Sequence, residues 1–437
     1  FGVYQRLQAE SQRAVATEQF LLELFASADP DGGHGGELTV REVLDEGVRR
    51  IDRLHGQPLL QGHLMNMVGH IYANLGRPQE AEDLARQALD LHLERAGERS
   101  KEGADSHRLL GRLLSEGGAF AEADRHLRRA IELYEEAFPA PKPRAEALTT
   151  LAYNHHQQGE SNRALETVRE AIDLCRREKL EDSSEMAVAV NNLGFILHGQ
   201  GETEGAIAAF EEALDLNARL HGVDHPMVAL AHSNLGAIAI VNDRPAEAMQ
   251  RLEAALDIWR RTVGEDDRLA LSARFNIASL HFRAARYGQT VEAVELLLPR
   301  ITGALGADHP LEIDALELLA KALDGSGRDP ARALELRRRV LDRCRELYGD
   351  EHPKTANALY QLALDRRRAA PARSITWLRQ AIEIERRHYG PDDERTRATE
   401  RLLTELLAVN GREVPADAAA KSPDAASGAP PPNPGAR

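Results

Sequence analysis

Only two cysteines and 19 aromatic side chains (nine Phe, eight Tyr, two Trp) occur in this 437-residue chain. Each scarcity excludes something. Cys175 and Cys344 lie far apart on segments that the repeat described below should keep from touching, so a disulfide framework is ruled out and the thiols say nothing of compartment. With 4% aromatics and few runs of valine, threonine and tyrosine, the chain lacks the material of a sheet-built core. No apolar run reaches the roughly 18 residues that a membrane-spanning helix needs, so nothing within the chain spans a bilayer. Basic residues are outnumbered, 55 Lys and Arg against 70 Asp and Glu. The resulting net charge of −15 excludes nucleic acid as the main partner, because phosphate binding needs a basic surface.

What the chain does have is a repeat. Gly69, Gly111, Ala152, Gly194, Gly236, Ala278, Ala320 and Ala363 share one local context at separations of 42, 41, 42, 42, 42, 42 and 43 residues. A small residue kept at that period over some three hundred positions means stacked copies of one supersecondary unit. In such a stack each copy buries its apolar face against its neighbours, so the usual limit on single-core size does not apply. The composition, led by alanine, leucine, arginine and glutamate, is that of an all-α array.

The repeat is clearest from Ser184 to Gly222. Its first helix carries Val188, Leu193, Gly194 and Leu197 and ends at Gly199-Gln200-Gly201; its second carries Ala206, Phe210, Ala213, Leu214 and Leu216. The small residues let two backbones approach, and Phe210 fills the space between turns. The pattern recurs at Gly69, Tyr72, Gly76, Ala81 and Ala88, at Gly111, Leu114, Gly118, Ala123, Leu127 and Ala130, and at Gly236, Ala248, Leu252 and Ala255. This order of small and large residues resembles the tetratricopeptide repeat, which implies a right-handed α-solenoid of helix–turn–helix units. The period exceeds the usual 34 residues of that family, and the surplus lies in the second helix and the connector. There the chain reads Gly222-Val223-Asp224-His225-Pro226, Gly306-Ala307-Asp308-His309-Pro310 and Gly349-Asp350-Glu351-His352-Pro353. Such connectors are similar to those of the 42-residue subtype found in kinesin light chains and many bacterial proteins. The glycine can leave one helix left-handed and the proline is pre-set to start the next. About eight repeats fill residues 58–394, a capping helix follows at 395–412, and the Pro- and Ala-rich tail at 413–437 reads as disordered.

Catalytic motifs are missing. The glycine run Gly32-Gly33-His34-Gly35-Gly36 lacks the Lys-Ser/Thr pair of a phosphate loop and reads as a linker. Asp29 and Asp31 do not continue into a calcium loop, and the pairs His155-His156 and His63 with His70 have no third metal ligand at suitable spacing. No cofactor or metal is implied, and the chain reads as non-catalytic. The connector histidines His225, His309 and His352 recur with the repeat and read as turn-stabilising caps. One polar feature stands apart. Asn192, Asn234 and Asn276 recur every 42 residues, each two positions before the small residue of the first helix. In tetratricopeptide proteins the first helices line a concave groove, and asparagine there often bonds the backbone of a bound peptide; an amide suits this because it both donates and accepts. The same residues could equally hold one repeat to the next. His232 and Arg274 are candidate neighbours on the groove face. The partner so implied is a protein or peptide on the concave surface.

Ahead of the repeats, Phe20, Leu21, Leu24 and Phe25 form a helical apolar face, Ser27-Ala28-Asp29-Pro30 ends it, and Thr39 with Glu42 forms a capping box for a helix running to about Leu54. The segment 1–57 is thus a helical lead-in with a Gly-rich linker. The order of residues over about 10–54 is similar to the region after the transmembrane helix in bacterial membrane-bound serine/threonine protein kinases with C-terminal tetratricopeptide repeats. That resemblance implies a kinase domain and a membrane helix before Phe1, repeats on the extracytoplasmic side serving as a sensory or scaffolding half, and signalling through a homodimer. The chain itself has no kinase motif: His107-Arg108 is followed by Leu109, and Asp-Phe-Gly is absent. The other reading, a stand-alone soluble cytoplasmic adaptor, stays open.

Overall fold

The structure, a computed structural model, describes residues 15–22, 40–54, 56–75, 77–137, 139–306 and 309–409. All regular structure among the described residues is α-helical: α1 (15–22), α2 (Val40–Asp52), then first and second helices in alternation. The pairs are α3 (Pro58–Asn74) with α4 (Pro78–Ala96), α5 (Lys101–Glu116) with α6 (Phe120–Glu136), α7 (Pro141–Gln157) with α8 (Ser161–Arg177), and α9 (Ser184–Gly199) with α10 (Thr203–His221). They continue as α11 (Pro226–Val241) with α12 (Pro245–Thr262), α13 (Arg268–Arg283) with α14 (Tyr287–Leu305), α15 (Pro310–Ser326) with α16 (Pro330–Tyr348), and α17 (Pro353–Arg366) with α18 (Pro371–Tyr389). A last helix, α19 (Glu394–Val409), packs on α18. The Gly-rich run, Leu24, Phe25, Thr39, Gly76 and the tail at 413–437 lie outside the described residues.

The chain divides into two compact units, one up to Leu220 and one from His221. In unit 1, α2 packs on α3, and each first helix touches its own second helix or the first helix of the next repeat along the series α3, α5, α7, α9. In unit 2 the same holds along α11, α13 and α15. The expected all-α stack of helical pairs is therefore what forms within each unit.

Close approach inside a pair depends on matched sizes. A Cβ built on Gly111 would lie 2.7 Å from Leu127, one on Gly194 2.7 Å from the Phe210 ring, and one on Gly236 2.9 Å from Leu252. In each case the opposing residue stands sixteen positions later. Where the small residue is Ala152 or Ala278, that later position holds Val168 or Val294, fully buried in the same apolar cluster. At these five crossings glycine faces Leu or Phe and alanine faces Val, which keeps the volume nearly constant, as close packing demands; Gly69 with Ala85 and Ala320 with Leu336 depart from the match. Phe210 is further held edge-on by Phe195, with centroids 5.4 Å apart.

The connectors follow from local sterics. Gly222, Gly306 and Gly349 take φ of 88°, 85° and 87°, a region nearly closed to residues with a Cβ. The histidine three residues on precedes proline, which restricts it to extended backbone. That is the conformation of an N-cap, and His225, His309 and His352 show it with ψ of 143°, 134° and 144°. Cys175 and Cys344 are both buried and free, and burial pushes their thiols up to about 11 and 12, so neither is reactive near neutral pH.

Size matching at the helix crossings yields a cycle. Gly236→Ala should destabilise unit 2 by about 1–3 kcal/mol in urea titration, by overpacking against Leu252. Adding Leu252→Val should restore at least half of that loss; independent effects of the two changes would contradict the matching.

Candidate functional site: the first-helix faces

Positions i, i+4 and i+7 of a helix share a face. In α9 these are Val188, Asn192 and Phe195. Val188 and Phe195 are 38% and 37% exposed, so Val188 faces solvent and not the core as its place in the apolar pattern suggests. The same face of α7 shows Glu146, Thr150 and Tyr153, with Tyr153 36% exposed. On α5 and α3 the position equivalent to Phe195 and Tyr153 is Arg112 and His70. A row thus crosses unit 1: His70, Arg112, Tyr153, Phe195. Its first end is cationic and its other end aromatic.

The cationic end has unspent hydrogen-bonding capacity. Among the described residues Arg112 reaches only Glu116 of its own helix, at 3.8 Å, and its Nη2 is buried without an acceptor. Arg108 pairs with Glu146 of the next first helix, yet its Nε also lacks an acceptor. Burial first, then Arg112 and Arg108, hold the His70 imidazole below its usual pKa.

The asparagines differ among themselves. Asn192 donates from Nδ2 to the Thr149 carbonyl of α7 at 3.4 Å, a bond from one repeat to the previous one. Asn234, on α11, is engaged in polar contact, whereas Asn276, on α13, has no hydrogen-bond partner among the described residues. Their flanks also differ. Asn192 sits between Val188 and Phe195, Asn234 between Leu230 and Ala237, and Asn276 between Ser272 and Ser279. The large apolar flank is thus kept on both sides of Asn192, on one side of Asn234 and on neither side of Asn276. On its own helix, Asn276 is therefore flanked along this face by two short hydroxyl side chains.

His232 and Arg274 lie two positions before Asn234 and Asn276, and residues two apart on a helix do not face the same way. His232 is held below its usual pKa by burial and then by Arg251 of α12, and its Nδ1 has no partner. Arg274 pairs with Glu265 in the connector at 3.2 Å. The structure does not bring either into the asparagine row. Of the histidine pairs, His155 is buried and bonds Asp124 at 3.0 Å and Thr167 at 3.3 Å. No group of three or more His, Cys, Asp or Glu is placed to hold a metal among the described residues. Sequence reasoning passed over Arg112, Tyr153 and Phe195. The signal was available, since all follow the repeated small residue directly.

The model of the tetratricopeptide repeat family matches residues 61–136, 184–261, 227–295 and 328–386, more than half of the chain. The chain belongs to the tetratricopeptide repeat family. No curated protein matches it. Among solved structures it is similar to a Rap protein complexed with competence and sporulation factor, at 15% identity and TM-score 0.56, covering 86% of this chain and 98% of that one. It is similar at the same TM-score to a signal-transduction ATPase with a tetratricopeptide repeat sensor from Pyrococcus horikoshii, at 12% identity, covering 86% of this chain but 56% of that one. BtubC (BKLC) from P. vanneervenii matches at 22% identity and TM-score 0.43, covering 54% of this chain and 92% of that chain. At these identities the likeness is one of fold. As a tetratricopeptide repeat array, the chain is a scaffold suited to binding protein.

The contrast between the asparagines is measurable. Asn192→Ala should cost roughly 1 kcal/mol of stability by leaving the Thr149 contact unmade. Asn276→Ala should stay within ~0.5 kcal/mol, as a substitution that removes no hydrogen bond and fills no core does. Urea titration of both variants checks this.

Proposed function

We propose that this chain binds an extended peptide segment of a partner protein along its first-helix faces, without catalysis. The observation that carries this is Asn276, a side-chain amide with no partner among the described residues, flanked on its own helix by the short Ser272 and Ser279. Such an amide can donate and accept along a peptide backbone. Asn234 supports the same role one repeat earlier, where Ala237 leaves room on one side and Leu230 offers an apolar contact on the other. Unit 1 offers a stretch of its own, where Asn192 is bonded to Thr149 and side-chain selectivity comes from the basic and aromatic ends of the row. A partner segment there would carry a carboxylate for Arg112 and an apolar side chain for Tyr153 and Phe195. The fold accommodates such use, since the Rap protein of similar fold was solved with competence and sporulation factor bound.

We also propose that the array is the C-terminal interaction region of a bacterial membrane serine/threonine protein kinase, acting as a homodimer. The support is the order of residues over 10–54, together with the docking of α2 on the first repeat. Asp45 of α2 accepts from Tyr72 at 2.5 Å and pairs with Arg77 at 3.5 Å, so a segment arriving through α2 would be mechanically coupled to the array. The gene sequence upstream of Phe1 tests this: a kinase domain and an apolar helix support it, and a start codon immediately before Phe1 supports the stand-alone cytoplasmic adaptor instead.

Selection of displayed random dodecapeptides on the full chain, followed by anisotropy titration, tests the binding reading. Peptides with at least one carboxylate and one apolar side chain should emerge. Their Kd should rise about tenfold or more on Asn234→Ala/Asn276→Ala or on Arg112→Ala, as loss of a charge-assisted or buried hydrogen bond implies. Selected peptides that bind all three proteins equally would place recognition elsewhere.

A further inference from the structure

Three first helices of unit 2 begin alike. Nδ1 of His225, His309 and His352 accepts the backbone N–H of Met227, Leu311 and Lys354 at 3.2, 3.2 and 3.1 Å. A ring nitrogen that receives an N–H carries no proton, so these imidazoles are neutral with their proton on Nε2. A second proton would go to Nδ1 and remove the acceptor. It would also set a positive charge against the positive end of the helix dipole. Both effects weaken the start of the helix.

Other first helices are capped differently. In unit 1, Ser100 accepts from Gly103 at 3.0 Å and Ser183 from Met186 at 3.2 Å, to start α5 and α9. In unit 2, Asp267 accepts from Leu269 at 2.8 Å to start α13. Serine gains no proton in the ordinary range, and aspartate does so only near pH 4.

We propose that these three histidine caps make the helix starts of unit 2 proton-sensitive: as pH falls below about 6.5 the N-termini of α11, α15 and α17 loosen, while the Ser100 and Ser183 cap bonds of unit 1, which do not titrate, hold. This goes beyond the binding reading and stands without it.

The groups around the caps act mostly in one direction. His225 stacks on His221 with centroids 4.4 Å apart, and burial followed by His221 lowers its pKa. His309 is lowered by burial and then Arg268, with Asp314 opposing. His352 lies on the Tyr348 ring at 4.6 Å and is lowered by burial, then His388 and Lys354. A histidine with a folded pKa below its unfolded value binds protons better once the chain opens. The stability these caps contribute is therefore complete above about pH 6.5 and is lost as pH falls through the folded values.

Both tryptophans of the chain, Trp259 and Trp377, lie in unit 2, so their fluorescence during urea titration reports that unit. Between pH 8 and pH 5.5 its midpoint should fall further in wild type than in a variant without the caps, because His232, held low by burial, and Glu385, whose carboxyl burial pushes up to about 7, titrate in both. The variant H225N/H309N/H352N, whose amides cap without titrating, should match wild type at pH 8 and keep an unfolding constant about tenfold or more less sensitive to that pH change. Hydrogen exchange on the unmodified chain gives a second readout. Relative to intrinsic rates, the amides of Met227, Leu311 and Lys354 should lose protection at pH 5.5, and those of Gly103 and Met186 should not. A triple variant with the wild-type pH dependence, or equal loss of protection at the serine-capped amides, would overturn the proposal.

Discussion

Everything in this chain depends on how closely two helices of a pair can approach. Gly111, Gly194 and Gly236 leave room that Leu127, Phe210 and Leu252 fill, while Ala152 and Ala278 meet the shorter Val168 and Val294. Where the two sides compensate, the helices of a pair pack closely, and successive first helices touch along α3, α5, α7 and α9 and along α11, α13 and α15. That stacking is what turns single positions of the repeat into rows. A residue that would be one surface side chain in a globular domain becomes one member of a line of equivalents.

The rows then take different chemistry in the two units. Along unit 1 the position after the small residue runs from His70 and Arg112 to Tyr153 and Phe195, and the unpartnered nitrogens of Arg108 and Arg112 leave its basic end under-neutralised. In unit 2 the equivalent positions are Ala237, Ser279, Lys321 and Leu364, and Lys321 is paired with Glu317 at 3.2 Å. The connectors diverge in parallel. Unit 1 uses serine hydroxyls as caps for α5 and α9, whereas unit 2 relies on imidazoles at three of its helices. Local backbone needs explain both choices, since each cap must accept one N–H, but only the imidazole couples that duty to protons.

Much of the fold was legible because its determinants are local. The small residues, the glycines that end second helices and the His-Pro starts all act within one or two turns, so their period survives in the sequence. The candidate site was legible only in part. Asn192, Asn234 and Asn276 were visible as a series, yet one bonds Thr149 forty-three residues back, one is engaged, and one has no partner among the described residues. Close to that series in number, His232 has a buried Nδ1 without a partner, and Arg274 pairs with Glu265 of the connector. Val188 fits the apolar pattern of α9 but is 38% exposed.

The sequence by itself determined the class of fold, the repeat length, the places where helices start and stop, and the role of His225, His309 and His352 as caps. Those features rest on backbone sterics and on hydrogen bonds between near neighbours, which a periodic sequence states repeatedly. Only tertiary structure decided which members of each row are spent on holding the stack and which remain open. That partition depends on carbonyls and charges contributed from other helices, such as Thr149 for Asn192 and Glu146 for Arg108, at separations that no local pattern encodes.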